Sequence, residues 1–95
     1  MYLEIVTPEA VVFGAEVDAV KVPGIDGEFQ MLNNHARIIS LLVAGEAKIN
    51  LTAASQGLME KLSKDFRKES NNVLFYNIKG GVLEMKDNKV IILAD

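Results

Sequence analysis

Histidine occurs once in this chain, at position 35, and cysteine does not occur at all. Covalent catalysis needs a nucleophile with a base in reach, so few arrangements are open. Glu28, His35 and Ser40 supply a carboxylate, an imidazole and a hydroxyl within one stretch of chain. A small hydrolase would need those three to converge, and turnover abolished by changing His35 would be its mark. Nothing in their spacing requires it. Asp26-Gly27-Glu28 is too short for a calcium loop, and one histidine among scattered acids makes no metal site. Gly80-Gly81 is followed by no Lys-Ser/Thr pair and opens no helix, so it is not a phosphate loop. It reads as a tight bend or a place where another backbone approaches closely. No catalytic, cofactor-binding or metal-ligating residue is assigned.

Recognition is the remaining chemistry, and it concentrates in Val22-Pro23-Gly24-Ile25-Asp26-Gly27-Glu28-Phe29-Gln30-Met31-Leu32-Asn33-Asn34-His35-Ala36. Pro23-Gly24 and Asp26-Gly27 are turn dipeptides, because proline presets φ and glycine accepts positive φ. Asn33-Asn34 repeats that punctuation before the histidine. Turns so close together, flanking a short strand, give a shaped surface loop, where binding usually resides. Within it His35 serves either as a loop histidine bonded to backbone at the Asn33-Asn34 turn or as a contact residue. Glu28 is either a solvated acid after a turn or a contact acid. Phe29 and Met31 alternate as core residues or exposed anchors, and Phe29 is expected to be buried.

Short apolar or alternating segments must position this loop. Residues 2–6, 11–13, 16–22, 28–31, 38–43, 47–51, 73–78, 81–86 and 89–93 read as strands. Leu3 and Ile5 lie opposite Glu4, and Leu83 and Met85 lie opposite Val82, Glu84 and Lys86. Asp87-Asn88 fits a two-residue hairpin turn. Val90-Ile91-Ile92-Leu93 is apolar on both faces, as a strand buried on two sides would be. Many short strands with frequent turns predict an antiparallel sandwich or barrel. The spacing turns helical between about 52 and 71, with Leu58, Met59, Leu62 and Phe66 as a stripe. It predicts a helix around 55–69, supported by Glu60–Lys64 and Lys61–Asp65 pairs and capped at Asn71-Asn72. Its stripe is expected to pack on the sandwich itself, with a partner-binding helix as the other reading.

Composition sets outer bounds. A chain of 95 residues, 49% hydrophobic and 24% charged, suits one soluble domain, 1–95. A net charge of −3 argues against a nucleic-acid backbone as partner. The longest mainly apolar run, Ile38 to Ala44, is far below the ~20 residues of a membrane helix. The first residues lack the basic start and apolar core of a signal peptide, so a cytosolic chain is expected, reaching a membrane only through partners.

Two segments carry a family resemblance. Gly24, Gly27, Glu28, Phe29, Met31, His35 and Ala36 form one motif, and Gly80, Gly81, Leu83, Glu84, Val90, Leu93, Ala94 and Asp95 form the other. With the opening Leu3-Glu4-Ile5-Val6-Thr7-Pro8-Glu9, they resemble the amino-terminal domain of the epsilon subunit of F-type ATP synthase. The resemblance covers most of 1–43 and 73–95 and implies a mainly β fold, a flattened antiparallel sandwich of two sheets. The segment of about 52–71 looks like an insertion, since many members have a short loop there. The resemblance further implies a non-catalytic part of the rotating central stalk, on the cytoplasmic face of a bacterial membrane, with no cofactor. Thr7, His35, Ala36, Ile38 and Ser40 would contact the gamma subunit. Ile25, Asp26, Gly27, Glu28 and Phe29 would contact the membrane c-ring. Members usually continue into a two-helix hairpin associated with inhibiting ATP hydrolysis; none of it lies within 1–95, so braking through it is not expected of this chain. Where the family usually has proline after Ala36, this chain has Arg37, which restores an N–H and adds a charge. The consequence is either a looser loop or a contact with an acidic partner group. A generic sandwich module for ligands or proteins is the alternative, but it would want exposed aromatics, and only 6% of residues are aromatic.

Overall fold

A computed structural model describes residues 1–95. Its strands are β1 (Tyr2–Val6), β2 (Val11–Gly24), β3 (Gly27–Leu32), β4 (Ile38–Leu51), β5 (Phe66–Lys68), β6 (Val73–Lys86) and β7 (Lys89–Ala94). The pairings β1–β7–β6–β4–β2–β1 close a circuit, with β3 added beside β2 and β5 beside β6. Every pair is antiparallel except β1–β7. The fold is mainly β, as the sequence predicts. Three strands are longer than their sequence segments suggest, because 11–13 runs on into 16–22, 38–43 into 47–51, and 73–78 into 81–86. Each long strand contributes to both layers of the sandwich, and the interruptions in pattern are bends rather than ends.

The bend in β6 shows why. Gly80 and Gly81 take φ of +144° and +147°. A side chain at Gly81 would overlap the carbonyl oxygen of Leu93 on β7. The Gly-Gly pair is thus the close backbone approach that its composition suggested. At the other end of β6, Asp87 and Asn88 both adopt left-handed φ, +52° and +60°, as a tight hairpin turn demands. Alternation then fixes the interior. Leu3, Ile5, Leu83, Met85, Val90 and Ile92 are fully buried between the layers. No buried side-chain nitrogen or oxygen lacks a hydrogen-bond partner.

The expected helix over 55–69 is corrected in kind and extent. A 3₁₀ helix spans Ala53–Lys61, and residues 66–68 form the short edge strand β5. Gly57 disfavours the helix interior, Thr52 makes no side-chain cap, and the first turn carries no acid. Ser63 then competes for the backbone: its hydroxyl accepts from the Asp65 N–H at 3.4 Å and its carbonyl from the Phe66 N–H. Phe66 gains more as a strand residue, stacked between Phe13 and Tyr76 at 5.7 and 4.7 Å. Glu60–Lys64 and Lys61–Asp65 are not ion pairs; Arg67 bridges Glu46 and Glu69 instead, at 3.0 Å each. The stripe nonetheless faces the molecule's own core: Met59 and Phe66 are buried in it, and Leu58 and Leu62 pack against it.

Candidate docking face

The loop singled out by sequence is two separate devices at opposite ends of β3. At one end, Pro23 and Gly24 are strand residues and the turn is Ile25-Asp26, followed by Gly27 at φ +117°. Ile25, Asp26, Gly27 and Glu28 are exposed at this tip. Phe29 is half-buried, its ring lying over Gly24 where a Cβ would meet it at 2.6 Å. Glu28 approaches Lys21 at 3.8 Å. At the other end the chain turns through Asn33-Asn34, with Asn34 at φ +62°. There His35 is exposed, and its Nδ1 lies 2.7 Å from the Ala36 carbonyl, which can only accept, so Nδ1 bears the proton.

No hydrolytic triad forms from these parts. Glu28 and His35 are separated by the length of β3, about 13 Å between residues 28 and 32 alone. The Ser40 hydroxyl donates to the Leu41 carbonyl at 3.2 Å. Each of the three is engaged locally. Burial of Tyr76, then the charges of Asp65 and Glu9, raise its pKa above 10.0. It lies at the aromatic stack and forms no part of this face.

What the structure does assemble is the outward side of the layer built from β1, β7, the second half of β6 and the first half of β4. Cross-strand register arranges it in rows. Leu41, Val82, Leu93 and Val6 are successive neighbours, an apolar row. Ile39, Glu84, Ile91 and Glu4 form the next. Lys86, Lys89 and Tyr2 form the third, with Arg37 just before Ile38 at its end. Ile39 is 62% exposed, Leu41 57% and Leu93 53%, high values for large apolar side chains on the two strands that flank β6. The Ile25 N–H donates to the Leu41 carbonyl at 3.1 Å, so the hairpin tip abuts the apolar row. Thr7 follows Val6 at the row's far end and closes a turn with Ala10.

Among the residues named from sequence, His35 and Ala36 thus border the basic row, while Thr7 and Ile25–Phe29 border the apolar one. Ile38 and Ser40 have the parity of the inward side of β4 and are half-buried. Ile39, Leu41, Val82 and Leu93 were missed. Their signal was present, since 38–43 and 90–93 are apolar on both faces. In a two-layer sandwich a strand has only one covered face, so Leu93 is exposed where burial on two sides was expected.

Fold and site together define a small β-sandwich whose distinctive surface is an apolar and charged sheet face. The model of the family described as ATP synthase, Delta/Epsilon chain, beta-sandwich domain, matches residues 1–62. The chain belongs to that family. An ATP synthase epsilon chain of Chlorobium limicola is 31% identical over 98% of this chain and 86% of its own length. Those of Dehalococcoides mccartyi and Campylobacter curvus are 36% and 37% identical, matched over 54% and 60% of their own lengths. The chain thus spans little more than half the length of several curated relatives it matches. Among solved structures, a chain of the Tetrahymena thermophila mitochondrial ATP synthase central stalk and c-ring superposes with a TM-score of 0.70 at 16% identity, over 99% of this chain and 62% of its own. One from the Euglena gracilis mitochondrial enzyme gives 0.72 at 19%, over 97% and 48%. Both share the fold.

Proposed function

We propose that this domain is a non-catalytic coupling piece of the central stalk of ATP synthase, docked on the gamma subunit and resting on the c-ring. One observation carries the reading: an apolar row with Leu41 and Leu93 more than half exposed, on a sheet stiffened by continuous pairing. Such patches on small soluble domains mark protein interfaces. A rigid sandwich transmits torque without chemistry of its own. The gamma contact comprises this face with Thr7, His35 and Ala36 around it, while Ile38 and Ser40 support it from the inward side of β4. The exposed tip Ile25, Asp26, Gly27, Glu28 and Phe29 meets the c-ring, where Glu28 and Asp26 orient the domain against basic loops. No helix of the structure is long and apolar enough to cross a membrane, and the domain reaches the cytoplasmic membrane face through these partners.

Size-exclusion co-migration with the gamma subunit of the same synthase tests the reading. A one-to-one complex is the expected result, weakened by Leu41→Asp or His35→Ala. Absence of a complex at micromolar concentrations overturns it. Glu28→Lys should leave that complex intact and impair proton-coupled ATP synthesis in the reconstituted enzyme.

A further inference from the structure

The docking face is ordered by charge as well as by polarity. Lys86 and Lys89 are direct cross-strand partners flanking the Asp87-Asn88 turn. Arg37 extends the β4–β6 register one step beyond Ile38 and Met85, which sets it beside Lys86. Directly opposed side chains have Cβ atoms about 5 Å apart, a spacing at which like charges repel. The molecule's four ion pairs use none of these cations, although the chain as a whole carries a net charge of −3. Asp87, in the turn between the two lysines, is the one acid among them, and Lys89 Nζ lies 5.8 Å from the Tyr2 ring centroid. The Asn34 N–H donates to Asn88 Oδ1 at 2.7 Å and ties the loop of His35 and Arg37 to the turn between the lysines. One row behind, Glu84 and Glu4 face outward on either side of Ile91, again outside every ion pair. The apolar row follows.

We infer that this face receives a protein surface with the complementary order: carboxylates against Arg37, Lys86 and Lys89, a cation against Glu84, and apolar side chains over Leu41, Val82 and Leu93. The inference rests on the docking reading above and adds the chemistry of the partner. Charge order sets the register, because a slip by one row would oppose like charges. An anionic membrane is the poorer match. Adjacent rows lie about 7 Å apart along a strand, within the roughly 8 Å screening length of physiological salt, so a plane of lipid phosphates meeting the lysines would also meet Glu84 and Glu4. Electrostatic matching of this kind governs orientation and encounter and is screened by salt, whereas covering the apolar row is not.

The test measures affinity for the immobilised gamma subunit at low and high salt. Lys86→Glu/Lys89→Glu should bind about ten-fold more weakly at about 50 mM salt, with the gap largely closed at about 500 mM. The Lys86→Gln/Lys89→Gln pair should fall between the two, and Glu84→Lys should weaken binding independently. Leu93→Ala should lose affinity equally at both salt levels. Reversed lysines that bind like the natural chain at low salt overturn the inference while leaving the docking reading intact. If the natural chain does not bind gamma at all, that reading fails, and an oligoglutamate peptide decides the inference separately. Amide shifts on titration confined to 34–37 and 86–89 sustain it. Their absence, or lysine-dependent binding to phosphatidylglycerol vesicles in preference to the peptide, overturns it.

Discussion

Gly81 and Tyr76 carry the sharpest single-residue consequences. Gly81 combines a φ of +147° with the Leu93 carbonyl crossing where a Cβ would stand, and backbone cannot yield as a side-chain tip can. Gly81→Ala is expected to cost about 3 kcal/mol, read as a lower urea midpoint with the slope unchanged. The sequence narrowed this feature to two readings, a tight bend or a close backbone approach, and the crossing of Leu93 decides for the second. Tyr76 was not legible: its surroundings come from Phe66, Asp65 and Glu9, remote in the chain. Burial first, then those two charges, holds its phenol protonated above the ordinary 10.0. Above pH 10 the unfolded chain releases this proton while the folded one keeps it, so stability falls as pH rises through that window. Tyr76→Phe should flatten the fall, measured as melting temperature between pH 9 and the folded-state pKa.

Elements were read well where period alone decides them and poorly where long-range contact does. The alternations of 2–6 and 81–86 gave both strand and buried face, since a period of two needs no information from elsewhere. The 52–71 segment held a helical stripe whose apolar residues do pack inward, yet the helix stops at Lys61 and residues 66–68 form a strand. Pairing with β6 and the aromatic stack at Phe66 outweigh a weak helical preference broken by Gly57. Phe66→Ala should therefore cost about 3–4 kcal/mol in denaturant unfolding, the range for an emptied aromatic site in a core. Leu58→Ala, at the half-buried edge of the 3₁₀ helix, should cost less than half of that. An α-helix spanning 55–69 would give the two substitutions similar weight. The same limit explains the missed docking residues, because which face of a doubly apolar strand is covered depends on the other layer.

At the scale of the whole molecule, the exposed apolar row is not a sign of loose packing. The radius of gyration is 12.1 Å, against about 12 Å for a well-packed chain of this length. A tightly folded domain that still presents Ile39, Leu41 and Leu93 to solvent is complete as a fold and incomplete as an assembly. Substituting these residues should accordingly separate stability from association. Leu41→Asp and Leu93→Asp remove no interior contact, so each should change unfolding free energy by no more than about 0.5 kcal/mol, the usual range for surface positions. Met31→Asp, at a fully buried site, should prevent folding by placing an unpaired charge in the core. In isolation the natural domain should self-associate weakly through the apolar row at high concentration, seen as a concentration-dependent sedimentation coefficient. Leu41→Asp should abolish that dependence and the gamma complex together, because one surface serves both. A monomeric Leu41→Asp variant that still bound gamma with natural affinity would move the partner surface off this face altogether.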